Sequence, residues 1–298
     1  MAIVQPKKKK LGDRVTDVII NICLALVIFV TIYPFWHVVM YSLSDSRAAM
    51  SGGLFFWPRE FSLLTYELLL QTKRIFIAFF NSIAKTVLGT LLSMVVTILT
   101  AYALSLDELK GRRFFQLVIY FTMLFSGGMI PTYILIKDLG LLDTFWVYVI
   151  PGAMSAYNMF VLRNFFRTIP KSLSESAMLD GASHMLILRK IVLPLSKAGL
   201  ATIALYYIRS NWNSYMDGVL YVNEAKLELL QVYLRRLISA ASAKGALSEM
   251  DDLSAAINVT EESMKMTVIA VSVIPVIIVY MFLQKYFTKG TTVGAVKG

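Results

Sequence analysis

The stretch Glu175-Ser-Ala-Met-Leu-Asp-Gly181, followed ten residues later by Ile191-Val-Leu-Pro194, has residue types suited to docking rather than to breaking bonds. Ser172 and Glu175 stand three apart, the spacing at which a hydroxyl and a carboxylate can satisfy orphan amides at a helix start. This predicts a short helix from Leu173 to about Asp180. Gly181 should end it, because a reversal with positive φ favours glycine. A second helix is expected from Ser183 to near Pro194. Glu175 then has two open roles, as the cap itself or as a contact on a partner's surface.

A second polar grouping interrupts an apolar run. Arg209 is followed by Asn211, Trp212, Asn213 and Tyr215, with Asp217 beyond. Amides, aromatic faces and a cation suit the route of a hydrophilic solute. Enzymatic chemistry has less to stand on. His37 and His184 are the only histidines, and neither has His, Cys or acid at ligand spacing, so no metal site is expected. No Gly-x4-Gly-Lys-Ser/Thr loop is present to cradle ATP. Cys23 is the only cysteine, so no intrachain disulfide can form.

The elements that must position these residues are membrane spans. Apolar residues make up 57% of the chain and charged ones 16%, with mean hydropathy +0.65; water-soluble domains are nearer a quarter charged. Runs free of Asp, Glu, Lys and Arg cover Val18–Ser44, Thr86–Leu106, Phe114–Ile136, Thr144–Leu162 and Met266–Gln284. Each is near or above the roughly 18–20 residues that a spanning helix needs. A sixth, Ala198–Met216, is broken only by Arg209. The expected organisation is a tail over 1–14, one six-span domain over 15–287 with a loop over 163–197, and a tail over 288–298. Gly127-Gly128 and Pro131 predict a break near the outer end of the third span, which would survive at membrane depth only beside protein or a hydrated cavity. Lys85 falls near the outer start of the second span, where its amine is expected to snorkel to the interface. Leu227, Leu230, Leu234, Leu237 and Ile238 predict an amphipathic helix in the last outer loop.

Charge sets the expected orientation. With the N-terminus inside, the inner segments hold 17 Lys and Arg against 6 acids, and the outer segments 10 against 12. Inner loops are enriched in cations, so both termini are expected to be cytoplasmic. The net charge of +10 is then a topology signal. It does not point to nucleic acid, since no basic soluble face interleaved with aromatics exists to bind it.

The pattern Glu175-x-Ala177-x3-Gly181-x9-Ile191-x-Leu193-Pro194 resembles the EAA signature of bacterial ATP-binding-cassette importer permeases, with Ser176 in place of the usual first alanine. Ile130-Pro-Thr-Tyr133, Leu139-Gly-Leu-Leu142, Asn164-Phe-Phe-Arg167, Pro194-Leu-Ser196, Trp212-Asn213 and the ending Lys289–Gly298 resemble the carbohydrate-importer branch, and the resemblance runs from Val15 to Gly298. It implies an all-α, six-span, type I importer permease in the bacterial cytoplasmic (inner) membrane, with a cytoplasmic coupling helix between spans four and five. It also implies partners: a second six-span permease, two ATP-binding cassette subunits that hold ATP and Mg, and a periplasmic or extracellular substrate-binding protein. Coupling would rest on Ser172, Glu175, Ser176, Ala177, Asp180, Gly181, Ile191, Leu193 and Pro194, and a tail contact on Gly294, Lys297 and Gly298. The relatives that this resemblance brings in include permeases for large or modified oligosaccharides, alginate among them, and the surplus of cations within the spans fits an acidic sugar. An ion-coupled secondary transporter is the alternative, although no clear repeat and no carboxylate deep in a span support it.

Overall fold

The computed structural model describes residues 11–242 and 259–294. Among these, every regular element is helical, and the one strand-like pairing is an isolated antiparallel bridge between Ser44 and Phe61. The helices are α1 (Leu11–Ser42), α2 (Ser46–Ala49), α3 (Leu64–Gln71), α4 (Lys73–Ser105), α5 (Arg112–Leu124) and α6 (Met129–Asp138). They continue with α7 (Ala156–Arg167), α8 (Lys171–Leu179), α9 (His184–Ile187), α10 (Leu193–Leu195), α11 (Lys197–Asn213), α12 (Met216–Tyr221), α13 (Leu230–Ser242) and α14 (Glu261–Gly294). The described chain forms two compact units, one of residues 11–69 and 259–271, the other of 70–242 and 272–294.

In the first unit, Val18, Ile22, Leu26 and Val30 of α1 each leave more than half their surface exposed. A helix apolar all round and uncovered by protein calls for lipid. Pro34 lies inside α1 without ending it. Beyond it Met40, Tyr41, Ala49 and Phe55 form a small core with Leu43 and Met266. Asp45 caps α2, its carboxylate accepting from the amides of Arg47 and Ala48 at 2.9 and 3.3 Å.

The second unit is organised by α4, which packs on α7 and α11. Ala101, Tyr102 and Leu104 of α4 meet Met159, Leu162 and Phe166 of α7 and Ile203 and Tyr207 of α11 in its main core. A second core joins Ile136, Val147 and Tyr148 to Tyr221, Leu229 and Val232. Leu230 and Leu234 are buried on α13, so the expected amphipathic helix forms, with Leu227 in a separate 3-10 turn before it.

Among the described residues, three helices are long and apolar enough to cross a bilayer: Thr16–Ser42, Lys73–Ser105 and Glu262–Phe282. Two bent pairs raise this to five if each counts once, α5 with α6 at 114° and His184–Leu195 with α11 at 86°. The run Phe114–Ile136 does break, but in mid-run, where Gly128 takes φ +88. The run Thr144–Leu162 is not one helix. It holds a 3-10 turn at Phe145–Tyr148, then irregular chain, then α7 from Ala156. Pro151 and Gly152 lie in that gap, and proline disrupts a helical ladder by ring clash and a missing N–H. The twelve residues of α7 rise only about 18 Å.

Candidate functional site: an exposed helix and a polar cavity

The helix α8 begins at Lys171, two residues earlier than expected, with Pro170 at the N-cap and no side-chain cap bond. Ser172 therefore lies inside the first turn, and the predicted capping box does not form. Proline explains the shift: its fixed φ, here −57, already suits entry into a helix. Glu175 is thereby free of local work. It is exposed and makes no hydrogen bond or ion pair among the described residues. The other end matches the expectation. Gly181 takes φ +83, its amide donates to the Met178 carbonyl at 2.9 Å, and the Ala182 amide donates to Ala177 at 2.9 Å. These are the two bonds of a Schellman turn. Asp180 is the C-cap, and its amide donates to the Ser176 carbonyl.

One side of α8 is held. Ala177, Met178 and Ala182 pack on the main core, while Leu173 and Leu179 stay 44% and 89% exposed. The end of α4 supplies further anchors. Asp107 accepts from Lys171 at the start of α8 and from Arg112 at the start of α5, with Arg167 at 4.0 Å. Those bonds from Lys171 and then Arg112 hold its carboxyl well below the usual carboxylate range. Arg163 donates to the Leu104 carbonyl at 2.9 Å, and Tyr102 meets His184 at 3.5 Å. Four stretches of chain thus converge where α4 ends.

Ile191 lies in a π-helical turn, Leu188–Val192, and packs on the same core together with Leu193. Pro194 follows at the start of α10. A widened turn upstream accommodates a residue that would break an i→i−4 ladder. Beyond the bend Gly199 meets α7 closely, since a Cβ there would sit 2.7 Å from the Phe165 ring. Gly294 is the last residue of α14; Lys297 and Gly298 lie outside the described residues.

A cavity of about 740 Å³ lies between α6, the 3-10 turn, the start of α7 and the later half of α11. Arg209 and Asn211 line it, together with Ser155, Tyr157, Tyr206 and Asp217. The remaining expected pathway residues are placed otherwise. Trp212 is buried, donating to the Ser272 carbonyl at 3.1 Å and packing edge-on against Phe79. Tyr215 lies under the Arg235 guanidinium at 4.6 Å, and Asn213 is exposed outside the lining.

Lys85 does not snorkel. Because α4 starts at Lys73 rather than Thr86, Lys85 is well inside the helix and only 1% exposed. Its ammonium donates to Asp217 Oδ2 at 2.8 Å and sits 5.0 Å from the Tyr148 ring centre. The Ser214 hydroxyl donates to the same oxygen at 2.6 Å. Lys85 belongs to a stripe on α4. Asn81 donates to the Glu228 carbonyl, Gly89 faces Asn211, Ser93 donates to Gly152, and Thr97 bonds Tyr207. Their recurrence every fourth residue was a readable signal that this helix buries a polar face.

The fold and this loop define a class. The chain belongs to the family described as binding-protein-dependent transport system inner membrane component, matching it over residues 1–293. Among particular relatives, it is 41% identical to the polygalacturonan/rhamnogalacturonan transport system permease protein YtcP of Bacillus subtilis (strain 168), covering 96% of this chain and 99% of that one. It is 36% identical over the full length of both chains to protein LplC of the same organism. A chain from the crystal structure of a bacterial ABC transporter involved in the import of the acidic polysaccharide alginate is similar at TM-score 0.86 and 33% identity, over 95% of this chain and all of that one.

Proposed function

We propose that this chain is one of two permease subunits of an ATP-driven importer that carries an oligosaccharide, of the acidic, alginate-like kind, across the bacterial cytoplasmic membrane. Both termini would be cytoplasmic, and six crossings would include Thr144–Leu162 as a broken one. The sugar reading is supported by two relatives, a polygalacturonan/rhamnogalacturonan transport permease and a chain of a transporter that imports the acidic polysaccharide alginate. The family's description supports the need for a binding protein.

One observation carries the mechanism: α8 presents Glu175 and Leu179 outward while Ala177 and Met178 hold it to the core. A short helix fixed on one side and bare on the other suits a groove on a partner. The partners would be two ATP-binding cassette subunits, which supply ATP and Mg. Their closure would push on α8, and the contacts at Asp107, Leu104 and Tyr102 would pass that push into α4. The pathway would respond as rigid bodies, alternating between inward and outward access. Gly181, Ile191, Leu193 and Pro194 hold the geometry, while the tail through Gly294, Lys297 and Gly298 would add a second ATPase contact.

The test is uptake by the complete transporter carrying Gly181→Leu or Glu175→Lys. Insertion should persist while ATP-driven uptake falls severalfold, with hydrolysis either reduced or uncoupled from delivery. Normal uptake by both variants would falsify this reading.

A further inference from the structure

The geometry points to a subsite in the cavity of this subunit where Arg209 binds the carboxylate of an acidic sugar residue, with Tyr157 and Tyr206 offering ring faces beside it. The inference rests on the importer reading above and adds where the charge is read.

The argument begins with charge. Asp217 is the acid among the cavity's lining residues, and Lys85 and Ser214 already occupy its Oδ2. Arg209 is exposed to the cavity and makes no hydrogen bond or ion pair among the described residues. The lining therefore carries one uncompensated positive charge. A guanidinium stays ionised at any working pH and offers a planar fork that matches a carboxylate in two parallel hydrogen bonds. An unpaired cation within a membrane segment is costly unless water or a ligand meets it.

Shape agrees with a sugar. The volume, about 740 Å³, falls in the range of about 300–1,000 Å³ typical of small-molecule sites. Tyr157 and Tyr206 are 55% and 40% exposed, so their rings remain available. Asn211 and Ser210 add polar atoms on the same helix as Arg209. The Asp217 Oδ1 atom can accept a sugar hydroxyl, its partner Oδ2 being engaged.

The complete transporter, reconstituted in vesicles, should be given trigalacturonate and its fully methyl-esterified form, which is neutral and nearly the same size. Losing a charge-assisted pair should make Arg209→Ala raise KM for the acid by about tenfold or more, with the ester altered less than about twofold. Arg209→Lys, which keeps the charge and loses the fork, should fall between. Equal losses for acid and ester in Arg209→Ala would overturn the subsite while leaving the importer reading intact. If the wild type moved neither sugar with ATP, the underlying substrate reading would fail instead.

Discussion

Lys85 and Asp217 stand 132 residues apart in sequence and 2.8 Å apart in space, the lysine almost wholly buried and the aspartate side chain 42% exposed. The pair ties the middle of α4 to the junction of α11 and α12, where Asp217 lines the polar cavity. Its two halves are unequal, and that inequality can be measured.

Removing the acid strands a buried cation, whereas removing the cation leaves a partly hydrated carboxylate that keeps its bond from Ser214. Asp217→Asn should therefore destabilise by about 3 kcal/mol or more, the scale for a buried charge left without its partner. Lys85→Met should lose only about 1 kcal/mol, nearer the scale of exposed pairs. Thermal unfolding of the detergent-solubilised protein would rank them. The reverse order would mean that the ammonium finds another partner.

Asp107 gives a dependence on pH whose sign can be worked out. Lys171 and Arg112 depress its folded-state pKa, while in the unfolded chain the carboxyl titrates near about 4. A depressed acid contributes stability that is present above the unfolded value and is lost as pH falls through the folded one. The stability difference between wild type and Asp107→Asn should thus stay constant from about pH 6 to pH 8 and shrink only below about pH 4. Added salt should reduce it at neutral pH, because the cluster is solvated. A difference that grew on acidification would contradict this assignment.

The close crossing of Gly199 and Phe165 predicts a coupled pair. Gly199→Ala would place its methyl against the inner ring atoms of Phe165 and should cost about 1–3 kcal/mol. Phe165→Leu in the same chain should recover part of that loss. Strictly additive melting losses in a double-mutant cycle would show that the backbone relaxes instead.

Some of this was legible without a fold, for local reasons. The turn at Gly181 is dictated by φ, which a single residue type favours, and the helix before it appears within two residues of its expected start. The long apolar runs on α1, α4 and α14 also declare themselves, since composition alone decides whether a helix can face lipid. The break in the third run follows from two consecutive glycines.

The site's electrostatics were not local. Residues 211, 212, 213 and 215 look equivalent in sequence, yet Asn211 faces the cavity while Trp212 is turned into the core toward Ser272 and Phe79. Which of them lines the cavity depends on the rotation of α11 against α4, and that is settled by packing such as Ile203 and Tyr207 against the α4 core. Likewise Asp107 carries no motif; it matters because three cations from separate elements arrive beside it. The sequence by itself determined the solvent, the helical class and the turn at Gly181, because hydropathy and φ preference act over a few residues. Only the tertiary structure decided that Lys85 neutralises Asp217 and leaves Arg209 as the cavity's surplus charge, because a salt bridge is defined by distance in space and not along the chain.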